Sequence, residues 1–127
     1  MIIVDTSALI AIVKQEPQAD ACKTALARSD MTLVSAATLT EILVVANGKS
    51  LTAQVGALLD ILNLEVIALD QIGADRAALA YAIWGKRNHP ASLNFGDCFA
   101  YSLAKERNCP LLFIGNDFSQ TDIVAAI

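Results

Sequence analysis

Four acidic residues stand in otherwise apolar surroundings, where an unpartnered carboxylate is costly. Asp5 directly follows the apolar run Ile2–Val4, at the end of a predicted buried strand. Glu41 lies within AATLTEILVVA, Asp97 within NFGDCFAYSLA, and Asp117 directly after LLFIGN. Because a buried ionised carboxylate without a partner loses its hydration, four such residues in one chain predict a shared site that something else stabilises.

Each of these carboxylates also has a structural explanation when it is taken alone. Asp5 could cap the helix that follows it, and Asp97 could be favoured by the dipole of a helix start. Asp117 could be an ordinary turn residue, and Glu41 could reach solvent from the middle of its helix. These alternatives stay open residue by residue, but the joint occurrence favours one site.

Divalent cations are the partners that this pattern predicts, since no Lys or Arg adjoins any of the four acids. Oxygen ligands suit Mg²⁺ or Mn²⁺, whereas a single histidine and no Cys/His cluster argue against zinc. Paired ions about 3.5–4 Å apart can activate a water and stabilise the leaving oxygen of a phosphodiester. We expect Asp5 and Asp97 to bind the first ion, with Glu41 and Asp117 acting directly or through water. Ser7 could orient a ligand or a water, or simply begin a helix.

The segment KRNHPASLN leads into Asp97 and is the only predicted loop in which cations adjoin one of these acids. We expect Lys86, Arg87 and His89 in this segment to contact the phosphates of a nucleic acid. The alternative is a solvated surface loop. The net charge of −4 makes the chain a poor general binder of nucleic acid, and two dications would offset that charge.

Short β-rich runs alternate with longer helical patterns along the chain. Strands are predicted over residues 2–4, 31–35, 65–69 and 110–114, with a short edge strand over 123–127. Helices are predicted over residues 6–14, 17–28, 37–47, 50–63, 71–86 and 96–107. Pro17 is expected in a first helical turn, Gly48 as a C-terminal cap and Ser50 as an N-cap.

This alternation predicts an α/β fold, a three-layer α/β/α arrangement around a central parallel sheet of about four to five strands. Continuously apolar strands predict burial of the sheet on both faces. In such sheets ligands bind beyond the carboxyl ends of the strands. Asp5 and Asp117 both stand at that edge, so the predicted architecture brings the acids toward one place.

Length and composition predict one domain, residues 1–127, with a substantial core. Hydrophobic residues make up 55% of the chain and charged residues 17%, which excludes a disordered protein. No apolar run approaches the roughly 20 residues that span a bilayer, and no basic region precedes the apolar start. Three cysteines without a CxxC motif fit a reducing compartment. We therefore expect a soluble cytoplasmic protein with no membrane association.

At these residues the chain resembles the PIN-domain nucleases, and within them the VapC-type toxins of bacterial toxin–antitoxin pairs. The resemblance covers nearly the whole length, through IIVDTSALIAIV, the helix with Glu41, LNFGDCFAYSLA and LLFIGNDFSQTDI. It implies a parallel-sheet α/β/α fold, Mg²⁺- or Mn²⁺-dependent endoribonuclease activity, a homodimer and a small VapB-like antitoxin that blocks the site. On this resemblance, Asp5, Glu41, Asp97 and Asp117 fall on the acidic positions of the family.

One position departs from the family pattern. Many members have Thr two residues before the last acid, whereas Gly115 stands there in this chain. A hydroxyl that could orient water is therefore missing, unless Ser119 or Thr121 replaces it. Asp122 adds a further carboxylate close to Asp117 in sequence.

Two other classes of protein remain as alternatives. An aspartyl-phosphate phosphotransferase or phosphatase of the haloacid dehalogenase type also has an Asp after its first strand, but expects a second Asp where Ser7 stands. A non-catalytic, receiver-like binding domain expects an acid pair at the first strand and a lysine after a late strand, and LLFIGND lacks that lysine.

Overall fold

A parallel four-stranded sheet forms the centre of the computed structural model, which describes residues 1–127. The strands are β1 (Ile2–Val4), β2 (Thr32–Ser35), β3 (Glu65–Ile67) and β4 (Leu111–Leu112), in the spatial order β3-β2-β1-β4. The helices are α1 (Thr6–Val13), α2 (Ala19–Arg28), α3 (Ala36–Gly48), α4 (Thr52–Leu62), α5 (Gln71–Trp84) and α6 (Asp97–Arg107), with a 3₁₀ helix at Phe118–Gln120. The predicted three-layer α/β/α class is confirmed.

Two apolar cores cover the two faces of the sheet. Successive strand residues point to opposite faces, so Ile2 and Val4 join one core while Ile3 joins the other. The first core contains residues of α1 to α4, and the second contains residues of α5 and α6. Ile3 and Val4 are fully buried. The strand that leads to Asp5 is therefore held from both sides.

The two edges of the sheet differ from the prediction. In β3, Glu65 and Val66 are exposed, so continuous burial was wrong for this strand, because it lies at an edge of the sheet. The predicted strand over 123–127 is reduced to one parallel bridge between Leu111 and Ala125. The C-terminal segment nevertheless runs along β4, since the Leu111 N–H donates to the Val124 carbonyl at 2.9 Å.

The predicted caps between α3 and α4 were wrong. Gly48 is the last residue of α3, and Ser50 has a φ of 57° and caps no helix. The Leu51 N–H donates to the Ala46 carbonyl at 2.8 Å, which with left-handed Ser50 makes a Schellman motif that ends α3. Pro17 lies in the turn before α2 and not in its first turn.

The remaining sequence expectations concern thiols and membranes. Cys22 and Cys98 are buried free thiols, and Cys109 is a partly exposed one. No helix combines the length and the apolar character that crossing a bilayer requires.

Candidate active site

Asp5 stands at the carboxyl end of β1 and begins α1. Its Oδ2 accepts hydrogen bonds from the Ser7 N–H at 3.1 Å and the Ser7 hydroxyl at 2.6 Å, so the capping role is real. Its Oδ1 is buried and has no hydrogen-bond partner. Burial raises the pKa of Asp5, the bonds from Ser7 oppose that rise, and the charge of Glu41 adds to it. One oxygen thus serves the helix and the other remains available.

Ser7 connects this carboxylate to the segment that follows β4. Its Oγ donates to Asp5 and accepts a hydrogen bond from the Ile114 N–H at 3.0 Å. The same hydroxyl therefore orients Asp5 and fixes the start of the segment that carries Asp117. Ser7 lies in the first turn of α1, which Asp5 caps, and its hydroxyl makes the orienting contact with Asp5.

Glu41 reaches inward from α3, although the helix also has an apolar outer face. Its Oε1 accepts a hydrogen bond from the Thr6 hydroxyl at 2.5 Å. A Cβ atom at Gly96 would overlap the Glu41 carboxylate, so only glycine allows this approach. Leu43 and Val44 occupy the exposed face instead. The solvent-facing alternative for Glu41 therefore does not hold, because its carboxylate lies against the start of α6.

Asp97 is the first residue of α6, and only 9% of it is exposed. Its Oδ2 accepts from the Asn94 N–H at 3.0 Å, while its own N–H donates to Asn94 Oδ1 at 2.8 Å. Burial raises the pKa of Asp97 to about 7, against the lowering effect of the Asn94 hydrogen bond, and the charges of Asp5, Asp117 and Glu41 add to the rise. The fields of the other three acids therefore converge on Asp97.

Asp117 is the exposed member of the group. It precedes the 3₁₀ helix and makes no capping hydrogen bond, yet its charge acts on Asp97. Gly115, two residues earlier, has a φ of +107°, a conformation that a threonine would adopt only with strain. The departure from the family pattern thus accompanies a local turn that requires glycine.

The three residues considered as replacements near Asp117 have other partners. The Ser119 hydroxyl donates to the Asn116 carbonyl, and the Thr121 hydroxyl donates to the Phe118 carbonyl, both at 2.7 Å. Asp122 accepts from the Tyr101 hydroxyl at 2.6 Å and from Lys105 Nζ at 2.9 Å. These side chains stabilise the C-terminal region, so none of them replaces the missing threonine.

The predicted phosphate-contacting segment contains two basic side chains without an ion pair and one histidine that already accepts a hydrogen bond. Lys86 and Arg87 are exposed and form no ion pair. His89 Nδ1 accepts from the Ala91 N–H at 3.0 Å, and its ring meets Trp84 at 4.7 Å between centroids. His89 therefore shapes the loop, which leaves only Nε2 to meet a ligand.

The carboxylate oxygens of the four acids are ligands that suit a divalent cation, although they do not form a complete metal site in this structure. No three His, Cys, Asp or Glu side chains are arranged as a metal site, so a bound ion would have to draw the carboxylates together or include water. None of the four acids pairs with a Lys or Arg. The unpartnered Oδ1 of Asp5 and the raised pKa of Asp97 mark negative charge that a hard cation would stabilise.

Three residues of this site were not predicted from the sequence. Thr6 holds Glu41, Asn94 holds Asp97, and Gly96 admits the Glu41 carboxylate. The spacing of Asn94 and Asp97 is that of a capping box, which could have indicated their reciprocal bonds. The Thr6 and Gly96 contacts join segments far apart in sequence, so no local signal indicates them.

Comparison with known proteins agrees with this architecture. The family model described as "PIN domain" matches residues 2–124. The chain is 39% identical over 126 residues to "Ribonuclease VapC" of Mycolicibacterium smegmatis, covering 97% of this chain and 98% of that protein.

Two solved structures share the fold at low sequence identity. One is Mycobacterium tuberculosis VapC20, described as a sarcin-ricin loop cleaving toxin, with a TM-score of 0.77, 17% identity and coverage of 98% of this chain and 97% of that one. The other is a toxin-antitoxin complex from Klebsiella pneumoniae, with a TM-score of 0.74, 18% identity and coverage of 100% and 98%. With a family match over nearly its whole length and a relative at this identity, the chain belongs to the PIN-domain family and, within it, to the VapC group.

Proposed function

We propose that this protein is a Mg²⁺- or Mn²⁺-dependent endoribonuclease that hydrolyses RNA phosphodiester bonds as the toxin of a toxin–antitoxin pair. The observation that carries the proposal is a series of contacts that brings three acids together. Thr6, next to Asp5, donates to Glu41, and the Glu41 carboxylate lies against Gly96, next to buried Asp97. The Oδ1 of Asp5 is buried there without a partner. A ribonuclease name for the Mycolicibacterium smegmatis relative supports it. We also propose that residues 1–127 form a single nuclease domain.

Asp5 and Asp97 would hold the ion directly, and Glu41 and Asp117 would act directly or through water. When bound, the ion would supply an activated water and stabilise developing charge on a phosphate. The protein's own contribution is orientation. Ser7 fixes Asp5 so that Oδ1 stays free.

Two further bonds set the directions of the other ligands. The Thr6 hydroxyl directs the Glu41 carboxylate toward the start of α6, and the Asn94 N–H holds one oxygen of Asp97. Partners of this kind around metal ligands typically change metal affinity or activity by about 10–100-fold when removed. The site is thus supported by hydrogen bonds to three of its four carboxylates.

The RNA would approach along the connection between α5 and α6. Lys86 and Arg87 are exposed and unpaired, so they can meet phosphates without losing an existing ion pair. His89 could contribute only through Nε2, because Nδ1 already accepts a hydrogen bond. Dications at the acids would offset the net charge of −4 that otherwise repels nucleic acid.

A VapB-like antitoxin with a basic segment would be the natural inhibitor of an acidic site. The Klebsiella pneumoniae structure that shares this fold is described as a toxin-antitoxin complex, which supports a protein partner for this chain. We further propose that the protein acts in the cytoplasm, a reducing compartment in which its three free thiols are stable.

A homodimer is proposed from an exposed apolar stripe on α5. Ile72, Leu79 and Ile83 lie seven and four residues apart, on one face of the helix, and are 61%, 60% and 50% exposed. A second copy of the chain would cover this stripe. Sedimentation of Leu79→Glu should show a monomer where the native protein shows a dimer, and an unchanged dimer would place the interface elsewhere.

The decisive test is cleavage of RNA by purified protein with Mn²⁺ or with EDTA. The native protein should cut only with the metal, and Asp97→Asn should abolish cleavage while its circular dichroism stays native. Asp20→Asn is the matched control, because Asp20 is an acid on α2 whose side chain is 99% exposed. Cleavage retained in Asp97→Asn would refute the assignment.

The same protein tests the cellular substrate and the alternative chemistry. Sequencing of RNA ends after induction, with Asp5→Ala as the inactive control, should reveal which transcripts are cut. A phosphoryl group trapped on Asp5 would instead favour the phosphotransferase alternative.

A further inference from the structure

Phe95 is an exposed aromatic residue at the edge of the acidic site. It is 76% exposed, whereas most large apolar side chains of this region are covered. It directly precedes Gly96, whose backbone contacts the Glu41 carboxylate, and stands two residues before Asp97. Two residues span at most about 7 Å, so the ring begins within that reach of the Asp97 backbone.

The backbone and ring of Phe95 are held in place. The reciprocal bonds between Asn94 and Asp97, at 3.0 and 2.8 Å, bracket Phe95 on both sides. The ring also meets Phe99 of α6 nearly perpendicularly, at 4.9 Å between centroids and 88° between planes. The exposure of Phe95 therefore does not arise from a loose chain end, since a rigid support presents the ring to solvent.

Phe95 is the most exposed aromatic residue of the chain, at 76% against 36% for Tyr81, the other exposed ring. Trp84 donates its indole N–H to the Tyr101 hydroxyl at 2.9 Å and meets the His89 ring. Phe113 and Phe118 contact each other at 5.1 Å, and Phe118 is buried. Phe95 is thus the ring that a ligand at the acids would meet.

We propose that Phe95 is the stacking platform for an unpaired base beside the scissile phosphate. This inference rests on the proposed ribonuclease function. A base next to a phosphate held at Asp97 lies within reach of a ring so close in sequence. Stacking needs only an open π face, which every unpaired base can use.

The surroundings favour a base over a hydrophobic protein contact. Phe95 lies between exposed Asn94 and the acidic group, and Ser92, three residues before it, is also polar and exposed. A docking surface for an apolar segment would need a contiguous apolar patch. One exposed ring, backed by half-buried Phe99 and flanked by polar residues, suits a flat, polar-edged ligand.

The test measures cleavage of a short single-stranded oligoribonucleotide of mixed sequence by three variants. Phe95→Ala and Phe95→Leu should lower kcat/KM by roughly 5- to 150-fold, and Phe95→Trp should retain most activity. Leucine keeps the apolar volume but has no π face, so it separates stacking from simple hydrophobic contact. Ile61→Ala, at an apolar residue of α4 that is 79% exposed, is the control and should cleave normally.

An abasic nucleotide placed beside the mapped cut site completes the cycle. The kcat/KM of the native protein should be lower on this RNA than on the normal RNA by a similar factor. On the abasic RNA, Phe95→Ala should have nearly the same kcat/KM as the native protein. If Phe95→Ala lowered kcat/KM relative to the native protein by the same factor on the normal and on the abasic RNA, the proposal would be overturned. Full activity of Phe95→Leu would also overturn it. An effect of Phe95→Leu confined to binding of a protein inhibitor would also overturn it.

A binding measurement keeps this test separate from the catalytic proposal. An oligoribonucleotide carrying 2-aminopurine, mixed with Asp97→Asn protein in Mn²⁺, should lose fluorescence, and the double variant Asp97→Asn/Phe95→Leu should not quench it. Quenching that persists in the double variant would overturn the stacking role. Cleavage that persists in Asp97→Asn would instead overturn the proposed function, whatever the quenching shows.

Discussion

Replacing Asp97 by Asn should stabilise the metal-free protein at high pH and leave its stability nearly unchanged at low pH. Burial, together with the charges of Asp5, Asp117 and Glu41, raises the pKa of Asp97 from 3.8 to about 7. Between these values the folded state keeps a proton that the unfolded state has lost. The stability from this proton is complete below about pH 4 and is lost as the pH rises through 7.

The magnitude follows from the size of this shift. About 3 pKa units at about 1.4 kcal/mol each give an upper bound of about 4 kcal/mol. Asp97 keeps 9% of its surface in contact with solvent, so water screens part of the charge and we expect roughly half of this value, about 2 kcal/mol. Asn retains an oxygen for the Asn94 N–H but has no proton to lose. The variant should therefore be about 2 kcal/mol more stable than the native protein near pH 8.

Urea unfolding in EDTA across this pH range measures the difference directly. If the free energies of unfolding of the native protein and Asp97→Asn differed by the same amount at all pH values, the reasoning would be contradicted. Such a result would mean that the pKa of Asp97 is not raised in the folded protein. Mn²⁺ at about 100 times its Kd should then stabilise the native protein by about 2.7 kcal/mol. The variant should gain much less, since it lacks one of the proposed ligands.

Three further predictions concern the support of the site. Gly96→Ala should displace the Glu41 carboxylate and weaken Mn²⁺ binding by about 10-fold or more in a calorimetric titration. Gly56→Ala is the control, because Gly56 has open space around it, and it should stabilise the fold by up to about 1 kcal/mol. Ser7→Ala should lower the free energy of unfolding by about 1–3 kcal/mol and also slow RNA cleavage, because one hydroxyl joins two segments. Asp122→Asn should cost about 1 kcal/mol or less in thermal unfolding and leave cleavage unchanged, so lost cleavage would place this residue in the site.

The order and class of the elements could be predicted because they depend on local patterns. Apolar runs alternating with helical periods predict a parallel sheet, and the structure has one, with β1 and β2 at its centre. The residue that ends α3 could not be predicted, because Ser50 and not Gly48 has the left-handed backbone conformation. Composition favours glycine there, but the hydrogen bonds of the helix end decide which residue takes that conformation.

The amino-acid sequence by itself determined that Asp5, Asp97 and Asp117 stand at strand or helix ends, and hence that these acids could meet at one edge of the sheet. Only the tertiary structure decided which oxygen of Asp5 stays free, that Glu41 turns inward against Gly96, and that Asp122 pairs elsewhere. The reason is that burial and hydrogen-bond partners come from residues remote in sequence. The bond from Ile114 to Ser7, which spans 107 positions, depends on the parallel pairing of β1 with β4.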